Sequence, residues 1–341
     1  MELSEIGSFQ AFHRSLPWPW VAVDARRTRF AFAASDRSIA TCVLDAGVVK
    51  PGPTFSLPLD LSLPTQAAGD ATPPGLRAFA VDGGGEMLAL VGTVGEASVV
   101  VSLGANGELV RSTAATLLGP GFVAQATAFD RSGTRIWVSA DNGTETALAL
   151  LDARTHAVHG VVRSAPLPPP AFHELHVHPV DDAVLLLAAC GQEGTFARVA
   201  GFTDGAPLSV ATQLDAGSVP SGFVGFSSDA ARVHLVEADE LRTHAWPGLE
   251  ELSAVELSDD FVSSYAGVVL GHRIFVDGHD GDDESDAVML FDRSAIRGAR
   301  VRPPVPRGMW VGRLGPDALI TVEAKGEPAL VRVVRLPELQ N

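Results

Sequence analysis

The chain has 341 residues, 46% of them apolar and 19% charged, and its 25 basic and 41 acidic side chains leave a formal net charge of -16. That apolar content supplies a large core and excludes a disordered acidic chain. The negative balance opposes binding to nucleic acid phosphates or anionic lipid, and of possible partners it favours a basic one.

The N-terminal stretch "MELSEIGSFQAFHRS" carries acidic residues where a secretory signal needs a basic region, and no later run reaches the 18 apolar residues of a membrane span. A cytoplasmic, bacterial protein without membrane insertion is expected. Cys42 and Cys190 have no CxxC spacing and read as small buried apolar residues.

Along the chain, short apolar runs follow polar turns at regular intervals: "RFAFAAS", "MLALVG", "RIWVSA", "AVLLLAA", "RVHLVEA", "RIFVDG" and "ALITVEA". Their second residues, Phe30, Leu88, Ile136, Val184, Val233, Ile274 and Leu319, are spaced by 58, 48, 48, 49, 41 and 45 positions. A period of this length marks a repeat architecture. In the third copy "QATAFD", "RIWVSA", "ALALLDA" and "THAVHGVV" read as four strands joined by Gly, Asp and Ser turns, and no helical period of note interrupts the pattern. Seven antiparallel four-stranded units predict an all-β, seven-bladed β-propeller.

We place the blades in one domain, 1–341, near 17–59, 75–116, 122–164, 171–214, 220–257, 261–302 and 307–337. The last copy lacks a fourth strand, and a strand at 7–13 is expected to supply it and close the ring, which removes an exposed edge. The unit "TAFDRSGTRIWVSADNGTETALALLDARTHAVHGVV" resembles YVTN-type and lactonase-like bacterial propellers, with a turn before the apolar strand and a later D-x-x-T turn between the outer strands. It is more distantly similar to WD-repeat propellers, whose repeating Trp-Asp and Gly-His pairs are absent.

"FHELHVHPVDDAVLLLAA" gathers His173, Glu174, His176 and His178. Alternation puts Glu174, His176 and His178 on one face and His173 on the other, so the imidazoles do not converge. His178 aligns with Asp130 and Ser227 at the turn between first and second strands. A His-x-His pair with Glu174 offers part of a zinc set, against a reading as turn caps and inter-blade hydrogen bonds. The acidic run at 277–286 offers Asp277, Asp280, Asp282, Asp283, Glu284 and Asp286 as calcium-type ligands, but its spacing departs from the EF-hand loop, and it reads as a solvated acidic loop. No cofactor is otherwise expected.

The connections into the innermost strands are rich in proline and carry an aromatic near each strand start: Trp20, Phe122, Phe172, Phe223, Tyr265 and Trp310. These rings either crown one mouth of the propeller, beside the acidic loop, or fill wedges between blades. The connection at 60–75 reads as a surface insertion at the same mouth. No Gly-x-Ser-x-Gly elbow, P-loop or dinucleotide fingerprint occurs.

The expectation is a non-catalytic platform for a protein or peptide partner, bound at Trp20, Phe172, Phe223, Tyr265, Trp310 and the loop residues Asp280, Asp282, Asp283 and Glu284. The alternative, implied by the lactonase-like resemblance, is hydrolysis of a small lactone or sugar derivative, with His173, Glu174, Arg307 and Asp280 as candidate groups.

Overall fold

The computed structural model describes residues 4–12, 20–63, 75–169, 171–203, 206–215, 221–237, 239–280, 286–291, 298–301, 309–323 and 329–335. Seven four-stranded antiparallel sheets form a propeller. Blade 1 holds β2 (Val21–Val23), β3 (Arg29–Ser35), β4 (Ser38–Asp45) and β5 (Val48–Ser56). Blade 2 holds β6 (Gly75–Val81), β7 (Met87–Val94), β8 (Ala97–Gly104) and β9 (Leu109–Thr113), and blade 3 holds β10 (Val123–Phe129), β11 (Arg135–Asp141), β12 (Thr146–Asp152) and β13 (Val158–Ser164). Blade 4 is β14 (Phe172–Val177), β15 (Ala183–Ala189), β16 (Thr195–Thr203) and β17 (Ala206–Asp215); blade 5 is β18 (Ser221–Phe226), β19 (Arg232–Glu237), β20 (Glu240–Ala245) and β21 (Glu251–Glu256). Blade 6 is β22 (Phe261–Leu270), β23 (Arg273–Asp280), β24 (Asp286–Phe291) and β25 (Gly298–Val301).

Blade 7 is completed from the far end of the chain. Its strands β26 (Met309–Leu314), β27 (Ala318–Glu323) and β28 (Ala329–Arg335) are joined by β1 (Ser4–Ala11), which pairs antiparallel with β28 from Ser4↔Arg335 to Ala11↔Ala329. The ring therefore closes as expected, a few residues earlier than the predicted 7–13. Arg332 fastens the seam by bridging Glu5 on β1 and Glu323 on β27 at 3.0 and 2.9 Å.

The apolar runs that revealed the repeat are the second strands, sandwiched between neighbouring blades and buried on both faces. A strand covered on both sides needs apolar residues at every position, which is why these runs do not alternate. In β3, Phe30 and Phe32 face blade 7 while Ala31 and Ala33 face blade 2. In β11, Ile136 and Val138 face blade 2, and Trp137, 1% exposed, fills the interface with blade 4. Outer strands such as β13 and β21 are covered far less and carry the polar residues.

One element departs from the sequence expectation. A short helix, α1 (Ala114–Leu118), follows β9, its N-terminus capped by the Thr113 side chain, which accepts the Thr116 N–H at 3.1 Å. At five residues it is too short to show a period, and it forms because a capping threonine precedes two side chains, Ala114 and Leu118, that are buried at the interface of blades 2 and 3.

Antiparallel order gives the ring two distinct faces. The connections into the first strands, and the hairpins between second and third strands, lie on what we call the entry face. Hairpins between first and second strands, and between third and fourth, lie on the turn face.

Candidate functional site

On the turn face, the hairpin out of the first strand is held by one side chain in each of blades 1 to 5. Asp24 accepts backbone N–H groups from Arg26, Thr28 and Arg29 at 3.0, 2.7 and 2.6 Å. Asp82 accepts from Gly84 and Met87, and Asp130 from Arg135 N–H and the Ser132 hydroxyl. Ser227 does the same for Arg232 N–H. His178 occupies this position in blade 4: its Nδ1 accepts the N–H groups of Val180 and Asp181 at 3.3 and 2.8 Å, which leaves Nε2–H to donate to the Ala230 carbonyl at 2.8 Å. The ring stacks on Trp246 at 4.5 Å. Burial holds its pKa below the ordinary histidine value, and a neutral ring is what two donors into Nδ1 require. The carboxylate of Asp181 also approaches Nδ1, at 3.2 Å, but the accepting role fits the depressed pKa.

The other histidines of the cluster diverge as alternation requires. His176 donates to Glu174 Oε2 at 3.2 Å, lowering the pKa of that carboxyl, and stacks on Phe223 of blade 5 at 3.7 Å. His173 turns the opposite way and meets Ser139 Oγ of blade 3 at 3.1 Å, where burial lowers its pKa to about 4. Ser139 is 0% exposed. A serine sealed inside a blade interface cannot reach a substrate carbonyl, so this Ser–His contact is a packing hydrogen bond and not an activated nucleophile. Among the described residues, no group of three His, Cys, Asp or Glu side chains is placed to hold a metal ion.

On the entry face the aromatic set divides. Trp310 is 6% exposed, and with Val268, Phe275, Val288 and Leu319 it fills the wedge between blades 6 and 7. Phe122 is 4% exposed between blades 2 and 3. These two do not stand on the rim; their side chains point between sheets because a wedge-shaped gap favours a large flat ring. Trp20 is half-buried and stacks on Phe79 at 6.1 Å, and Phe223 is half-buried between His176 and Phe226. Phe172 and Tyr265 remain outward, 65% and 40% exposed, with Val262 at 46%.

Tyr265 is presented by a backbone irregularity. In β22, Ser263 pairs with Gly278 and Ala266 with the adjacent Asp277, so Ser264 and Tyr265 are extra residues in a bulge. Tyr265 sits at φ +54°, a left-handed conformation that a bulky residue adopts only under constraint, and its N–H is held by Ser263 Oγ at 3.0 Å. Its carbonyl presses against β18 where only Gly222 leaves room: a Cβ there would lie 1.7 Å from the Tyr265 oxygen. Bulges re-aim side chains, and this one fixes a tyrosine on the rim. Smaller register shifts occur in β6, β10, β18 and β26.

Charge around this sector is one-sided. Glu174, Glu193, Asp239, Asp259 and Asp260 are exposed in blades 4 to 6 and their connections. The described arginines there are engaged: Arg198 is buried against Ser164, and Arg242 is bound by Glu237, Glu240 and Glu251. Of the predicted acidic loop, Asp280 ends β23, while 281–285, with Asp282, Asp283 and Glu284, lie outside the described residues, as do Arg307 and the segment 64–74.

No family model matches the chain, and no curated protein matches it. Among solved structures it is similar to the β-propeller domain of Cps50 (Swd1) from Myceliophteria thermophila, with a TM-score of 0.59 and 9% identity over 98% of this chain and 100% of that one. At that identity the likeness carries the fold alone. Among the described residues, no helix is long and apolar enough to cross a membrane.

Proposed function

We propose that the protein is a non-catalytic, cytoplasmic binding platform whose entry face, over blades 4 to 6, receives a protein or peptide segment carrying basic and apolar side chains. The observation that carries this reading is the exposed pair Phe172 and Tyr265 amid Glu174, Glu193, Asp239, Asp259 and Asp260, on strands that the ring holds rigid. Aromatic anchors on a stiff scaffold lose little entropy on binding, and exposed acidic groups around them select a basic partner. Two free, buried cysteines are in keeping with a reducing compartment. The affinity to YVTN-type and lactonase-like repeats belongs to the same proposal, supported by the D-x-x-T turn in which Asp152 Oδ1 accepts from Arg154 N–H and from Thr155 N–H and hydroxyl.

The test is selection of peptides from a random library on the intact protein. Selected sequences are expected to pair Arg or Lys with an aromatic or aliphatic residue, and the Phe172→Ala, Tyr265→Ala double variant should bind them at least about tenfold more weakly with its unfolding midpoint preserved. Equal binding by both proteins would remove this sector as the contact face.

A further inference from the structure

At one point on the turn face, two neighbouring blades break the repeat in the same direction. In blades 1, 2, 3 and 5 the residue three after the capping side chain closes the turn with an N–H bond back to the cap's carbonyl, and it is Gly85 in blade 2, Gly133 in blade 3 and Ala230 in blade 5, at φ +70°, +76° and +58°. In blade 1 it is Arg27, at φ +59°. Glycine takes this left-handed geometry freely and a long side chain does not.

The second departure is on the inner strand of blade 7. The residue paired with the repeat's marker position is Val23, Val81, Phe129, Val177, Phe226 and Val269 in blades 1 to 6, and Arg313, opposite Leu319, in blade 7.

These two arginines come together. The Arg27 carbonyl accepts the Gly315 N–H at 2.6 Å, and Arg313 Nε donates to the Gly315 carbonyl at 2.5 Å while its Nη1 reaches the Val269 carbonyl at 3.3 Å. Burial, and next the nearby charge of Arg313, bring the Arg27 pKa down to about 10. Burial also lowers that of Arg313. Among the described residues no carboxylate lies within ion-pair distance of either guanidinium. The charge of Asp24 acts on Arg27 and partly offsets that of Arg313, but its oxygens are spent on the N–H groups of its own turn. A chain of net charge -16 has carboxylates in excess, yet these two half-buried cations act on each other and, among the described residues, neither has an ion pair.

Two like charges without an ion pair among the described residues, one of them in a left-handed turn, suit an oxyanion ligand. We propose that Arg27 and Arg313 form an anion site at the turn-face end of the channel, and that its ligand is a dianionic phosphate group, free or as a phosphomonoester. Two guanidiniums match the charge of a phosphomonoester, whose second ionisation has a pKa of about 6 and is nearly complete at pH 7.5. The donors for the anion would be the Arg27 head and the N–H groups of Arg313 other than the two that its carbonyl contacts use.

The experiment is thermal unfolding of the full chain at pH 7.5 in inorganic phosphate, in phenyl phosphate and in sodium chloride of matched ionic strength. The intact protein should show a saturating rise of about 2 °C or more in phosphate over chloride. Arg27→Gly, which restores the repeat's own residue, should unfold at a higher temperature than the intact protein in chloride and show no phosphate-specific rise; Arg313→Val should also lose it. A rise at lower concentration with phenyl phosphate assigns the site to a phosphomonoester, and an equal one to the free anion; both support it. No rise over chloride in the intact protein, or an undiminished rise in both variants, overturns the proposal. So does a lower midpoint for Arg27→Gly in chloride, because contacts within the chain would then account for the arginine.

Discussion

Acidification should unfold this propeller well above the range in which carboxylates titrate. His156, His178, His234 and His244 are 1 to 3% exposed, and burial lowers the pKa of each, as it does for half-buried His173. For His173 and His234 the value falls from 6.5 to about 4. The folded state thus binds these protons more weakly than the unfolded chain, so stability is fully present above about pH 6.5, falls as pH drops toward 4, and is level again below. A depression from 6.5 to about 4 corresponds to on the order of 3 kcal/mol for a single buried site. Two such sites approach the whole stability of an ordinary domain, about 5–15 kcal/mol. Asp24 and Glu237, whose pKa values burial raises, act in the opposite sense, adding some stability as pH falls through their folded values. Urea unfolding at fixed ionic strength from pH 7.5 to 4.5 should give steadily falling midpoints. The double variant His234→Leu, Thr243→Val, which removes a buried pair bonded at 3.0 Å, should flatten that slope by about one proton's worth near pH 5. A midpoint constant over the range, or a slope unchanged in the double variant, would refute the reasoning.

Three further outcomes follow from the packing. Trp310→Ala should cost about 3–5 kcal/mol in urea unfolding, as for an aromatic removed from a core, with the loss read as stability and not as a direct loss of contact with a partner. Gly222→Ala should displace the Tyr265 bulge or prevent folding, since its Cβ would sit 1.7 Å from a backbone oxygen, whereas Gly312→Ala, with only a Val23 methyl at 3.8 Å, should stay within about 0.5 kcal/mol of the parent. Deleting residues 1–12 removes β1 and leaves the β28 edge unpaired, so sedimentation should show dimers or larger aggregates where the intact chain shows none of that added association.

The repeat was legible because the second strands are covered by blades on both sides, and that physical demand writes uninterrupted apolar runs such as "RIWVSA" into the sequence. Turn chemistry was legible too: aligning His178 with Asp130 and Ser227 put it at the cap of a turn, and the structure gives it that role. What it bonds across the interface, the Ala230 carbonyl, depends on how blade 5 sits against blade 4, and no spacing within one unit carries that information. The same gap explains the aromatics. Phe172 and Trp310 both follow a proline-rich connection into an inner strand, but Phe172 pairs with Ala189, at the far end of β15, and Trp310 with Thr321, inside β27, so one ring stands at the rim and the other within the blade interface. The bulge under Tyr265 is decided by two residues in excess of the partner strand, a count available only once the pairing is known. Arg27 and Arg313 had a usable signal that motif searching passed over, since each stands where the other copies of the repeat carry a different residue class.

The two faces of the ring are built to different ends. On the turn face the hairpins are capped from within and tied to one another: Arg29 Nε reaches the Gly83 carbonyl, Arg135 joins Asp130 to Asp182, His178 reaches Ala230, and Trp246 Nε1 returns to Asp181. Those contacts engage donors and acceptors of the turns in blades 1 to 5, which makes the face stiff there. On the entry face the inner strands carry register shifts in place of regular ladders, and the side chains they redirect include Tyr265 and the Arg77–Gln125 pair, bonded at 2.7 Å across blades 2 and 3. A bulge weakens its own ladder and is tolerated only when the neighbouring structure holds it, as Gly222 and Ser263 hold Tyr265. Rigidity supplied by one face therefore supports irregularity on the other, and in a closed ring that division lets recognition surfaces vary while the seven interfaces that stabilise the fold stay the same.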